Sequence, residues 1–190
     1  MPTDRRPTRE ELLASADRTL PLLAAPGLRV LFCGINPGLY SAWSGHHFAR
    51  PGNRFWPALH RSGFTARQLH PSEQEELLTL GLGVTNVVER ASATAAELSP
   101  AELREGGERL RADVAEHRPA WLAVLGVTAY RTAFDQPRAT YGEQGLRLGP
   151  TRVWVLPNPS GLNAHFTPAR LAEAFAELRR AVERRGAAPV

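Results

Sequence analysis

Leu28-Arg29-Val30-Leu31-Phe32-Cys33-Gly34 is the stretch on which the fold turns. It is apolar at almost every position and shows no two-residue alternation, so it reads as a strand buried on both faces. Strands of that kind occur in parallel sheets covered by helices on either side. Pro26-Gly27 sets a turn just before it. Two further runs have the same character, Trp121 to Gly126 and Arg152 to Pro157. Leu82 to Val88 reads as either a strand or a loop. Between these runs lie helix signals. Arg54 to Ser62 is one expected helix, and Ser72 is expected to cap another over Glu73 to Leu80. Ser99-Pro100-Ala101-Glu102 combines an N-cap serine, an early proline and a glutamate three residues after the cap, and predicts a helix to about His117. A shorter helix is expected over Thr128 to Phe134. Thr167-Pro168 opens the last, whose Leu171, Ala174, Phe175, Leu178 and Val182 keep helical spacing. Alternating strands and helices give an α/β class: three layers, α/β/α, with a central mostly parallel sheet of about four strands. The whole chain, 1–190, reads as one domain, with no repeat or low-complexity linker. Residues 1–25 form an N-terminal extension expected to be helical from Thr8 to Ala24, with Pro21 breaking or ending it.

Composition narrows the chemistry. Hydrophobic residues make up 43% and charged residues 22%, which is ordinary for a globular chain. No apolar run approaches the roughly 20 residues of a membrane span, so no membrane role is expected. The polar start, Met1 to Glu11, reads as neither a secretory signal nor a lipid anchor. One cysteine, Cys33, excludes an internal disulfide framework and a four-cysteine metal or iron–sulfur site within the chain, and a reducing cytoplasm is the expected compartment. The 23 basic residues are all arginine. Without lysine there is no phosphate-binding loop of the usual kind and no side-chain Schiff base.

The net charge is +4, but its distribution says more. Arg18 to Ser72 contains six arginines and no acid, and Gln144 to Ala172 contains three more and no acid. The remainder is net acidic. Brought together by the fold, the two windows would offer a basic face to a polyanion. Each window holds a loop that follows a buried strand: Ile35 to Asn53 after the first, and Pro157 to Asn163 after the last. Ligands in open parallel sheets sit beyond such carboxyl ends. Gly34 and Gly38 lack dinucleotide-fingerprint spacing, and no helix is expected to start there.

Gly34-Ile35-Asn36-Pro37-Gly38-Leu39, then Gly45-His46-His47-Phe48, then Pro51-Gly52-Asn53-Arg54-Phe55-Trp56, and finally Asn158-Pro159-Ser160-Gly161-Leu162-Asn163 form a specific constellation. It resembles the mismatch-specific uracil/thymine-DNA glycosylases, over roughly residues 26–178. The resemblance implies a uracil-DNA glycosylase-like fold. It also implies a monofunctional hydrolase that flips a uracil mispaired with guanine out of double-stranded DNA and leaves an abasic site for base excision repair. Asn36 takes the place of the catalytic asparagine. An amide cannot serve as a base at neutral pH, so it would orient water through its carbonyl oxygen, and slow chemistry leaning on the leaving group is expected. Backbone N–H groups near Ile35 and Phe48 would hold the departing uracil anion. Phe48 matches the position that stacks on the base, and Ser41 the position near its C5 edge. Asn86 offers donor and acceptor to a uracil edge. Asn158 to Asn163 resembles the insertion loop, with Leu162 as wedge, Gly161 permitting close backbone approach, Asn163 reaching the opposing guanine, and Ser160 either contacting a phosphate or capping a turn.

The six histidines show no zinc-site spacing, and no metal or cofactor is expected. A monomer acting on DNA that carries G:U or related mispairs is the expected state. The absence of a Gly-Gln-Asp-Pro-Tyr stretch and of a cysteine quartet points away from the general and the iron–sulfur uracil glycosylases. Two other readings stay open. One is a broad glycosylase for uracil and other deaminated bases that also acts on single strands, with Asn86 as its cause. The other is a DNA-lesion binding module with weak or no catalysis.

Overall fold

Strands β1 (Val30–Gly34), β2 (Leu82–Asn86), β3 (Trp121–Leu125) and β5 (Thr151–Leu156) are parallel, and β4 (Gly142–Leu148) runs antiparallel along the edge beside β5. The computed structural model describes residues 5–186. The sheet order is β2-β1-β3-β5-β4. The chain steps one way from β1 to β2 and the other way to β3, so the order reverses beside β1, and a crevice opens at the strands' carboxyl ends. Seven helices complete the described chain: α1 (Arg9–Leu13), α2 (Leu39–Ser44), α3 (Phe55–Arg61), α4 (Glu76–Thr79), α5 (Pro100–His117), α6 (Val127–Ala133) and α7 (Pro168–Gly186).

The two faces of β1 show why the layers form. Val30 and Phe32 belong to one core with Phe55, Trp56 and Phe175, whereas Leu31 and Cys33 belong to the other with Leu110, Val124 and Tyr130. Phe32 meets Phe55 and Phe64 edge-on at 5.5 and 5.4 Å and stacks on Phe175 at 5.9 Å, so α3 and α7 close one side around one ring. On the other side α5 approaches with no side chain between. A Cβ at Gly106 would lie 2.1 Å from the Val87 carbonyl, and one at Gly107 would lie 2.1 Å from that of Ala133.

Several expectations are corrected. The sheet has five strands rather than about four. β4 is half-exposed and carries Gly142, Gly145 and polar residues, a composition with weak strand preference that pairing to β5 overrides. The loop after β1 contains a helix, α2, which starts at Leu39 and ends on Gly45 in the left-handed conformation (φ 78°). Ser72 does not cap α4. His70 caps a 3-10 turn at Pro71–Glu73 through its side chain, and α4 is shortened to Glu76–Thr79. The N-terminal helix is five residues long, not seventeen. Asp17 takes φ 62°, and beyond it the chain runs extended. Leu23 and Val84 exchange both backbone hydrogen bonds at 2.9 Å, so the extension covers the free edge of β2. The other helix and strand expectations are met within two residues of their ends, including the capping box Ser99–Glu102.

Candidate active site

The carboxyl ends of β1, β2, β3 and β5 open into a cavity of about 210 Å³. That lies below the roughly 300–1,000 Å³ of pockets for drug-sized ligands and suits a single heterocycle. Ile35, Asn36, Ser41, Phe48, Asn86, Asn158, Ser160 and Leu162 all line it. The fold thus brings together candidates that lie up to 127 positions apart in the sequence. Gly161 and Asn163, in the same loop, do not line it. Among the described residues no carboxylate lines the cavity. A larger groove of about 690 Å³ adjoins it, sharing Phe48, Arg50 and Asn53 and also bordered by Arg61 and His70. Asn36, Ser41 and Asn86 line the smaller cavity and not the groove.

Asn36 follows directly on β1, and both hydrogens of its amide nitrogen are committed. It donates to the Arg90 carbonyl at 3.0 Å and to the Ser92 hydroxyl at 2.7 Å. Ser92 passes its own proton to the Thr94 carbonyl at 2.7 Å, so its oxygen must accept from Asn36. The amide therefore cannot rotate without losing both bonds, and Oδ1 is the end left open. Arg90 is itself held by Glu102 at 2.5 Å, and Glu102 closes the capping box of α5.

Asn86 ends β2 under a second constraint. His47 is buried, and its Nε2 lies 2.9 Å from the Pro21 carbonyl. A carbonyl only accepts, so Nε2 carries the proton and Nδ1 presents a lone pair. Asn86 Nδ2 lies 3.4 Å from that Nδ1 and donates to it. Burial pushes the His47 pKa down, the Pro21 bond partly opposes this, and His46 adds to it, so the ring stays neutral at pH 7. Oδ1 of Asn86 projects over Gly34, where a Cβ would come within 2.5 Å of it and within 3.1 Å of the Phe48 ring. Glycine at 34 keeps this floor open.

Phe48 has φ 53°, an uncommon conformation for a non-glycine residue. Its ring stacks on the buried Phe55 at 4.1 Å, with 27° between planes. No hydrogen bond among the described residues uses the backbone N–H of Ile35 or Phe48. The Ser41 hydroxyl accepts from the Ala49 N–H at 3.1 Å, and Ser41 leaves only a small side chain on the wall.

The loop after β5 is held by bonds among its own polar groups. Ser160 Oγ accepts from the Leu162 N–H, the turn-capping role. Asn163 spends its amide inside the loop, donating to the Asn158 carbonyl at 3.0 Å and accepting from the His165 N–H at 3.1 Å. Gly161 makes a close backbone approach within the protein: a Cβ there would lie 2.4 Å from the Gly52 carbonyl. Leu162 is 74% exposed, which removes a core-packing role. The basic windows meet at the cavity only in part. Arg67 pairs with Glu73 and Glu76, Arg152 with Glu143, and Arg29 with the Leu80 carbonyl. Arg50, Arg54 and Arg61 border the groove without a carboxylate partner among the described residues, and of these Arg54 is bonded to backbone carbonyls.

Sequence reading assigned no role in the site to Ser92 or Pro21, and it showed His47 and Arg54 only as members of motifs. None carries a signal at short range, because each acts on a residue at least 26 positions away.

Fold and site together define an α/β protein with a small, carboxylate-free cavity at the switch point of a mostly parallel sheet. A family model described as the uracil DNA glycosylase superfamily matches residues 21–179. The chain belongs to that superfamily, a class of hydrolases that act on DNA. The match starts within the N-terminal extension, at Pro21. The fold is also similar to the solution NMR structure of a candidate uracil DNA glycosylase from Methanosarcina acetivorans. The TM-score is 0.61 at 18% identity, over 88% of this chain and 98% of that one.

Proposed function

We propose that this chain is a monofunctional DNA glycosylase that hydrolyses the N-glycosidic bond of uracil mispaired with guanine in duplex DNA, working as a monomer without metal or cofactor. The observation that carries the reading is the amide of Asn36, whose two hydrogens are held by Arg90 and Ser92 and whose Oδ1 is left to hold a water. The mispaired base leaves the stack, at a cost of a few kcal/mol that a mispair lowers. Phe48, backed by Phe55, offers it an aromatic face. Asn86 accepts the uracil N3–H through Oδ1 and turns its remaining amide hydrogen to O4. As the bond to the sugar lengthens, negative charge develops on the uracil, and the free N–H groups of Ile35 and Phe48 stabilise it. The water on Asn36 then adds to the sugar cation, giving free uracil and an abasic site. With no carboxylate in the cavity, catalysis rests on positioning and leaving-group stabilisation, so turnover is slow.

A second reading has a specific observation behind it. Asn86 is oriented by protein groups alone, so it can read uracil with no opposing strand. That favours a broader glycosylase that also accepts uracil in single strands. Base release from oligonucleotides with uracil opposite guanine, opposite adenine and in single strands, with wild type beside Asn36→Ala, separates the readings. Release confined to G:U and lost in the variant supports the mismatch enzyme. Release from all three supports the broad one. Binding to the mismatch with no release from any substrate leaves a lesion-binding module.

A further inference from the structure

Arg54 stands at the start of α3, in a segment where a free arginine would be taken for a phosphate ligand. Its guanidinium is bonded instead to backbone carbonyls. Nη1 donates to the carbonyls of Asn163 at 3.2 Å and Phe166 at 2.7 Å, and Nη2 donates to that of Gly161 at 3.2 Å. Its backbone N–H donates to the Pro159 carbonyl at 2.9 Å. Four carbonyls between Pro159 and Phe166 therefore converge on one residue more than a hundred positions earlier. The segment they belong to has no regular secondary structure. Leu162 lies between two of the held carbonyls, those of Gly161 and Asn163, and its side chain is the exposed one. Among the described residues no carboxylate pairs with Arg54, so its charge is spent on these carbonyls. Only guanidinium supplies several donors in a fixed planar fork, and lysine would supply a single point charge.

We infer that Arg54 is a positioning residue that clamps the loop after β5 so that Leu162 is presented, already ordered, to the DNA stack. Ordering a wedge before it meets DNA removes that entropy cost from base extrusion. Arg54 thus acts on extrusion of a paired base and not on bond cleavage. The inference rests on the reading of Leu162 as the wedge, and its test keeps the two apart.

Arg54→Lys retains the charge and removes the fork. The measurements are uracil release from a G:U duplex and from an unpaired bubble. They are joined by fluorescence of 2-aminopurine beside the uracil, which reports extrusion, in an Asn36→Ala background where most base release is suppressed. Arg54→Lys is expected to lower duplex release and the extrusion signal about tenfold, the scale of one charge-assisted hydrogen bond lost. Bubble release is expected to stay within about twofold, and hydrogen exchange at Gly161 to Asn163 to quicken while the sheet amides keep their protection. In combination with Leu162→Ala, the Arg54→Lys change should add nothing. Equal loss on duplex and bubble, no loss on duplex, or additive losses in the double variant would each overturn the inference. If Leu162→Ala alone leaves duplex release and extrusion unchanged, the wedge reading falls first, and with it the clamp's purpose.

Discussion

Both hydrogens of the Asn36 amide are taken, and that turns a turn-forming residue into a one-ended acceptor. Asn36→Ala should abolish most base release and leave binding to mismatched duplex nearly intact, checked by single-turnover kinetics beside a binding titration. Ser92→Ala removes one of the two restraints and leaves the Arg90 carbonyl in place. It should lower the single-turnover rate about tenfold with little change in affinity, because a mispositioned water costs rate and not binding. His47 does the same for Asn86. His47→Asn can keep an acceptor near the Nδ1 position, whereas His47→Gln cannot. The first should retain base discrimination, and the second should lose it, read as the ratio of uracil to cytosine release. The asparagines were visible in the sequence because turn chemistry and motif spacing mark them. Their holders were not, because a serine, a histidine and a proline carbonyl acquire meaning only from what the fold sets opposite them.

At the scale of elements, α5 carries the most telling local conflict. Helix preference alone favours alanine over glycine by about 1 kcal/mol. Gly106 sits where a Cβ would fall 2.1 Å from the Val87 carbonyl, so backbone would have to move. Gly106→Ala should destabilise the protein by about 3 kcal/mol, measured by urea denaturation. The movement would also disturb the Arg109 bonds to the carbonyls of Asn86 and Val87, which hold the end of β2. The capping box of α5 and the apolar runs of β1, β3 and β5 were legible, because local preference and burial agree there. β4 and the strap over β2 were not. Each is an edge element, β4 half-exposed beside its neighbour β5 and the strap paired to Val84 far along the chain, so neither shows much apolar pattern of its own.

For the whole molecule, charge and protonation set the observable behaviour. Arg50 and Arg61 border the groove beside the cavity, and DNA affinity should fall with salt along a log–log line. Arg61→Gln should reduce that slope by about one while leaving release from saturated complexes unchanged. Stability should also depend on pH between 5 and 7. His47 titrates at its ordinary value of 6.5 when unfolded and below it when folded, and His46 is shifted in the same direction by burial. The unfolded chain therefore binds more protons in this window. The histidine contribution is full above pH 6.5 and is lost as pH falls from there through the folded value. Glu11 and Glu102, lowered to about 2 by Arg5 and Arg90, act only at more acid pH. Urea midpoints at pH 5 and 7 should differ less in His47→Asn than in wild type.

The class of fold, the strands that face two cores and the two loops that line the cavity were legible along the chain. Those are decided by local preference, burial pattern and motif spacing, all of which are written along the chain. The tertiary structure decided which way the amides of Asn36 and Asn86 point, which arginines remain free of carboxylates, and that Gly161 packs against Gly52. The orientations of Asn36 and Asn86 depend on partners 26 to 56 residues away, and a side chain's role is fixed only when its donors and acceptors have been spent.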